Sequence, residues 1–301
     1  MQEVNRKAFI QRVREGIWGY AFVSPWVLLY TVFGLYPLLL SFFLTFYDYS
    51  FVSPENQTFV GVGNWVNAVT DPLFWRSVYN IFFNQSIFIV LKNGLGLAVA
   101  ALIFQVRTGV RFFRTVYFMP VVTSVVVLMT IGDYLASPTG PLQTALIEAG
   151  ILESQVFWKS SNVLPMPVLA LINTWKWFGI STVIFLAGMY NVSPRLYEAA
   201  SIDGANAWQK FRFITMPQLR PQLLFLLTVD LINGLQMFTE VFTTFNIQGG
   251  ANNQALTPVL YLYREAFDQS NIGYASSLGL VLAIMIAGLT MLQFRIFRGE
   301  E

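Results

Sequence analysis

The chain has 301 residues, 55% hydrophobic and 11% charged, against roughly a quarter charged in soluble domains, so it carries more apolar surface than one water-soluble core can hide. A net charge of +2 does not point to nucleic acid. The absence of Cys and His excludes disulfides and thiolate metal sites and removes the commonest general base, so neither a catalytic nor a metal site is expected. The composition predicts an all-α polytopic membrane protein.

In chain order, residues 1–16 read as a polar tail carrying Arg6, Lys7, Arg12 and Arg14. An uncharged run follows, too long for the apolar region of a cleaved signal peptide, and places a first transmembrane helix at 17–47. Residues 48–76 read as an extracytoplasmic loop rich in Pro, Asn and Gly. A five-helix core is expected over 77–297, with spans at 77–104, 115–136, 163–190, 222–245 and 269–294. A polar island occupies 191–221, and 298–301 form a short tail. At about 1.5 Å per residue each span can cross a hydrocarbon layer of about 30 Å, which gives six transmembrane helices. Outside the spans, every Lys and Arg except Arg76, Lys159 and Arg264 falls before the first span, after the sixth, or in the second and fourth loops. The positive-inside rule therefore places both termini and the island in the cytoplasm, as an even number of spans requires.

Charged residues within spans need a partner or a wet cavity, because each costs at least about 2.5 kcal/mol at mid-bilayer. Lys92, Lys176 and Asp230 fall near the midplane, Asp133 and Glu240 toward the outer edge. Asp230 is expected to pair with Lys176 or Lys92, either beside a translocation path or as a structural bridge remote from it. Two helical faces combine polar and aromatic groups suited to a polyhydroxylated solute. Asn173, Trp177 and Ile180 recur on the fourth span, and Asp230, Asn233, Gly234 and Met237 on the fifth. Asn80, Asn84 and Gln85 lie nearer the outside on the second span, with Asn84 chosen for the path. For any one of these residues, interhelical packing is the alternative.

The island is more elaborate than a connector needs. Glu198-Ala199-Ala200, then Asp203-Gly204-Ala205, then Ile214-Thr215-Met216-Pro217 resembles the Glu-Ala-Ala signature of permease subunits of binding-protein-dependent ABC importers. Ser24-Pro25-Trp26, Tyr36-Pro37, the word from Asp71 to Trp75, Phe112-Phe113-Arg114, the word from Phe185 to Gly188 and that from Tyr261 to Phe267 are similar to the carbohydrate, maltose-type branch. Gly249-Gly250-Ala251 departs from the Gly-Gly-Pro of many members.

The resemblance implies a type I importer permease (MetI-like) fold in a bacterial or archaeal plasma membrane. It implies a second homologous permease subunit, two ATP-binding cassette ATPase subunits that hold ATP and Mg, an extracytoplasmic solute-binding protein and a sugar substrate. Residues Glu198, Ala199, Ala200, Asp203, Gly204 and Ala205 would couple to the ATPase, with Glu198 near a helix N-terminus. The first helix would embrace the partner permease. An interfacial helix carrying Trp208, Phe211 and Phe213 is the alternative for the island. No Walker lysine loop occurs, so nucleotide hydrolysis belongs to another chain. A phosphorylated polyol or other small solute is the alternative substrate. A stand-alone ion-coupled carrier is the competing class, but no internal repeat supports it.

Overall fold

The computed structural model describes residues 19–105 and 109–298; the expected tail at 1–16, Arg107 of the second loop and residues 299–301 lie outside them. Helix α1, Gly19–Leu44, is apolar all round and has no buried residue in its most apolar stretch. Such a helix belongs in lipid or against another subunit. A π-helical segment, Thr31–Leu35, precedes Pro37, whose missing N–H disturbs the regular ladder.

The outer loop is not wholly irregular. The two-residue strands β1, Tyr47–Asp48, and β2, Thr58–Phe59, pair antiparallel, and α2, Gly63–Thr70, follows. Helix α3, Pro72–Phe104, is capped by Asp71, whose Oδ1 accepts from Leu73 N at 2.7 Å, with Pro72 in the first turn where its missing donor costs nothing. Its 33 residues reach about 50 Å.

The third expected span is two helices. Helices α4, Val110–Val122, and α5, Val125–Ala136, are separated by extended backbone at Thr123 and Ser124 after Pro120, and the chain turns there by 97°. The following loop holds a helix of its own, α6, Pro141–Glu148. Helix α7, Pro165–Tyr190, packs more extensively against α3 than any other pair of elements does. The island forms α8, Pro194–Ile202, and α9, Ala207–Lys210; a π-helical turn, Phe211–Thr215, and a helical turn, Met216–Gln218, complete it. The fifth expected span is also bent, by 43°, between α10, Arg220–Leu235, and α11, Thr239–Phe245. Helices α12, Pro258–Tyr263, and α13, Ile272–Arg298, complete the chain. Among the described residues, four helices are long and apolar enough to cross a membrane, or up to six if each bent pair is one span.

The buried side chains form two main clusters. One includes Phe74, Ile81, Leu169, Leu235 and Leu256; the other includes Ala100, Ile103, Phe185, Met189 and Leu226. Along both α3 and α7 the two clusters are separated by several turns, and the candidate site lies in that gap.

Candidate transport site

A cavity of about 440 Å³ opens between α3, α7, α10 and α11, within the roughly 300–1,000 Å³ of ordinary small-molecule sites. Helix α7 contributes Asn173, Trp177, Ile180 and Ile184; α10 contributes Asp230, Asn233 and Gly234, with Met237 in the bend and Glu240 just beyond it. From α3 come Gln85, Phe88 and Lys92, spaced i, i+3 and i+7 on one helical face.

Asn84, expected on this path, does not line it. Its side chain is fully buried and its Nδ2 donates to Met166 O on α7 at 2.8 Å, so it joins two helices. One residue is 100° of rotation on a helix, and the neighbouring Gln85 takes the cavity position instead. Asn80 is likewise glue, donating to Asn253 O and Leu256 O at 3.0 Å. Glu240, placed toward the outer edge by counting, faces the same cavity because the bend at 236–238 swings it in.

The two buried lysines have different partners. Lys92 Nζ forms an ion pair with Asp230 Oδ1, while Asn93 Nδ2 donates to Asp230 Oδ2 at 3.0 Å and Ser181 Oγ donates to Asn93 Oδ1 at 2.8 Å. The pair joins α3 to α10 and is held by a third helix, the arrangement that makes two desolvated charges tolerable. Lys176 forms no ion pair among the described residues. Its Nζ donates to Val121 O at 3.1 Å, to Pro120 O at 3.4 Å and to Thr123 O, covering the main-chain carbonyls exposed where α4 breaks from α5. The broken span and the buried cation thus explain each other.

Two polar atoms on the cavity wall have no hydrogen-bond partner among the described residues: Gln85 Oε1 and Asn173 Oδ1, on side chains 6% and 5% exposed. Gly234 faces the first of them. A Cβ there would meet the Gln85 amide, so the wall has room for that amide only because residue 234 is glycine. Trp177 supplies a half-buried aromatic surface, with Lys176 Nζ 4.9 Å from its ring centroid.

The cavity helices α7 and α10 are joined by the island. Ser193 and Pro194 start α8, and a Schellman motif ends it: Gly204 N donates to Ser201 O at 3.2 Å and Ala205 N to Ala200 O at 2.8 Å, with Gly204 at φ +77°. Asp203-Gly204-Ala205 is therefore a helix stop with both orphan carbonyls satisfied. Asn206 and Gln209 then form a capping box for α9. Tyr197 Oη and Thr215 Oγ1 lie 2.9 Å apart, and Lys210 Nζ donates to Ser201 Oγ at 2.7 Å, fixing the two limbs of the island together. Glu198 is exposed and lies beyond the first turn of α8, so its carboxylate does not cap its own helix and is left facing outward. Ala199 is exposed and Ala200 half-buried, while Leu196, Ile202, Trp208 and Phe213 leave apolar surface uncovered.

At the outer end, two sequence words meet in space. Asp71 Oδ2 accepts from Tyr261 Oη at 2.5 Å and Tyr274 Oη at 2.6 Å, joining the starts of α3 and α13 to α12. Burial alone would raise the Asp71 carboxyl, but these hydroxyls and the backbone N–H groups of Leu73 and Phe74 hold it below its ordinary value.

Long apolar helices enclosing a mainly apolar cavity with a few polar side chains, and a helical loop between two of its walls, define a multi-pass membrane transport subunit. The chain belongs to the family of binding-protein-dependent transport system inner membrane components, whose model matches residues 92–298. It is 33% identical to the lactose transport system permease protein LacF of Rhizobium radiobacter over 279 residues, 92% of each chain. It is 31% identical to the arabinooligosaccharides transport system permease protein AraP of Bacillus subtilis strain 168, over 93% of this chain and 90% of that one. A chain of a bacterial alginate ABC transporter, solved with its alginate pentasaccharide-bound periplasmic protein, superposes with a TM-score of 0.78 at 20% identity over 94% of each chain. The fold is therefore that of an ABC importer permease.

Proposed function

We propose that this chain is the permease subunit of an ATP-driven importer for a sugar or oligosaccharide, which passes through the cavity between α3, α7 and α10 by alternating access. The observation that carries the reading is the cavity wall itself. It combines unpartnered amide oxygens on Gln85 and Asn173 with the indole of Trp177, the chemistry a polyhydroxylated ring requires. Relatives named for lactose and arabinooligosaccharide transport support the same substrate class.

The remaining parts follow from what the chain leaves uncovered. Phe225, Val229 and Asn233, one turn apart along α10, are exposed at the edge of the cavity, where a second permease subunit would close it. The apolar side chains of α8 and the turns after it would seat in an ATPase subunit, with Gly204 setting the reversal and Glu198 facing the partner. ATP and Mg would be bound there and not by this chain. A separate extracytoplasmic binding protein would deliver the sugar.

A stand-alone carrier that used Asp230 for ion coupling would have to release it from Lys92 and Asn93. Co-purification tests the reading. Tagged protein is expected to bring down two copies of an ATPase and a second permease, with ATPase activity rising when a sugar-loaded binding protein is added. Sugar uptake by this chain alone, without nucleotide, would overturn it.

A further inference from the structure

We propose that the cavity admits uncharged saccharides and rejects those bearing carboxylate or phosphate groups, with Gln85 as a specificity-determining residue. The proposal rests on the sugar-permease reading above.

The orientation of Gln85 is fixed by a relay. Met166 O can only accept, so Asn84 must present Nδ2 to it, at 2.8 Å. Asn84 Oδ1 is then left to accept from Gln85 Nε2, at 3.2 Å. Gln85 Nε2 spends one of its two N–H groups on Asn84, and Oε1 is left buried without a partner among the described residues. Reversing either amide would set oxygen against oxygen in a site where Asn84 is fully buried. Oε1 packs against Gly234, where a Cβ would collide with it.

Asn173 Oδ1 is a second unpartnered acceptor on the same wall, and Glu240 adds a carboxyl group. The wall's one basic side chain among the described residues is Lys92, and Asp230 holds it. Lys176 lies behind the wall with its ammonium turned to the carbonyls of the α4–α5 break. Sugar hydroxyls can donate to these acceptors. A carboxylate or phosphate can only accept, and entering a low-dielectric site it would find no uncommitted cation.

The test bypasses the binding protein, whose own selectivity would mask that of the membrane site. The nucleotide-free, fully assembled transporter is equilibrated with tritium-labelled neutral di- and trisaccharides and, in parallel, with uronate sugars of matched length. The best neutral sugar is expected to bind at least about tenfold more tightly than the best uronate. Gln85→Lys, which puts a cation where Oε1 stands, is expected to narrow or reverse that ratio, and Glu240→Gln to narrow it less. Wild-type binding of uronates as tight as neutral sugars would overturn the inference and leave the sugar permease standing. A tenfold preference unmoved by either substitution would remove the assignment to this wall. Failure of every sugar in both sets to bind would overturn the sugar reading and this inference with it.

Discussion

The cavity and the island are unfinished in opposite ways. In the cavity Lys92 and Asp230 neutralise each other and the apolar clusters above and below are packed, while two amide oxygens stay unpartnered among the described residues. In the island the backbone is capped at the C-terminal end of α8 and at the start of α9, while Leu196, Ile202, Trp208 and Phe213 stay uncovered. Each region lacks the kind of group its partner would bring. Hydroxyl donors suit the first, and an apolar protein surface suits the second.

Asp230→Asn has the largest expected effect. It leaves Lys92 buried without its counter-charge, at a cost of about 3–5 kcal/mol, so folded protein recovered after detergent extraction drops sharply. Replacing both partners, as in Lys92→Met with Asp230→Leu, should restore most of it. Wild-type yield from the single variant would show that the pair does not hold α3 to α10. Next, Ile202→Glu puts a charge on the uncovered face of α8 without touching its caps. Burial of such a side chain is worth about 1.5–3 kcal/mol, so ATPase association should weaken roughly tenfold or more while sugar binding is unchanged. Unaltered co-purification would detach this face from the partner.

Gly234→Ala is smaller and confined to the cavity. Its methyl group displaces the Gln85 amide, so uptake should fall by about tenfold with assembly intact. Smallest is Tyr274→Phe, which removes one hydrogen bond to Asp71 and should cost about 1 kcal/mol in thermal unfolding near neutrality. Because the folded Asp71 carboxyl sits below its ordinary value of 3.8, its contribution is complete above that pH and disappears as the pH falls through the folded value. The difference between Tyr274→Phe and the wild-type protein should therefore shrink in acid. A difference that stays constant on acidification would mean that Asp71 is not the partner that matters.

What the sequence made legible was local chemistry. Gly204 reads as a helix stop, because such a signal is written in one residue, whereas the second span, expected from 77, starts at Pro72, where Asp71 caps it. The faces on the fourth and fifth spans were legible from helical spacing, and the structure brings Asn173, Trp177, Asp230, Asn233, Gly234 and Met237 onto one cavity. The break at Thr123–Ser124 was not, since a hydropathy window averages across two extended residues, although Pro120 marked the place. The role of Lys176 was hidden for a related reason: its partners are main-chain carbonyls, which leave no trace in side-chain identity. Choosing Gln85 over Asn84 required knowing which way α3 is rotated, and the polar triplet Asn80, Asn84, Gln85 is ambiguous by itself.

The central claim is that sugar occupies the cavity and that the island moves its walls. The native chain has no cysteine, so Asn233→Cys provides a single reporter thiol on the cavity edge. In the assembled transporter its labelling by a polar thiol reagent should slow when sugar is present and should change again when ATP is added. In a Gly204→Pro background, which destroys the φ +77° reversal, sugar should still protect the introduced thiol while ATP no longer alters the rate. Labelling indifferent to sugar, or a response to ATP that survives Gly204→Pro, would contradict the account.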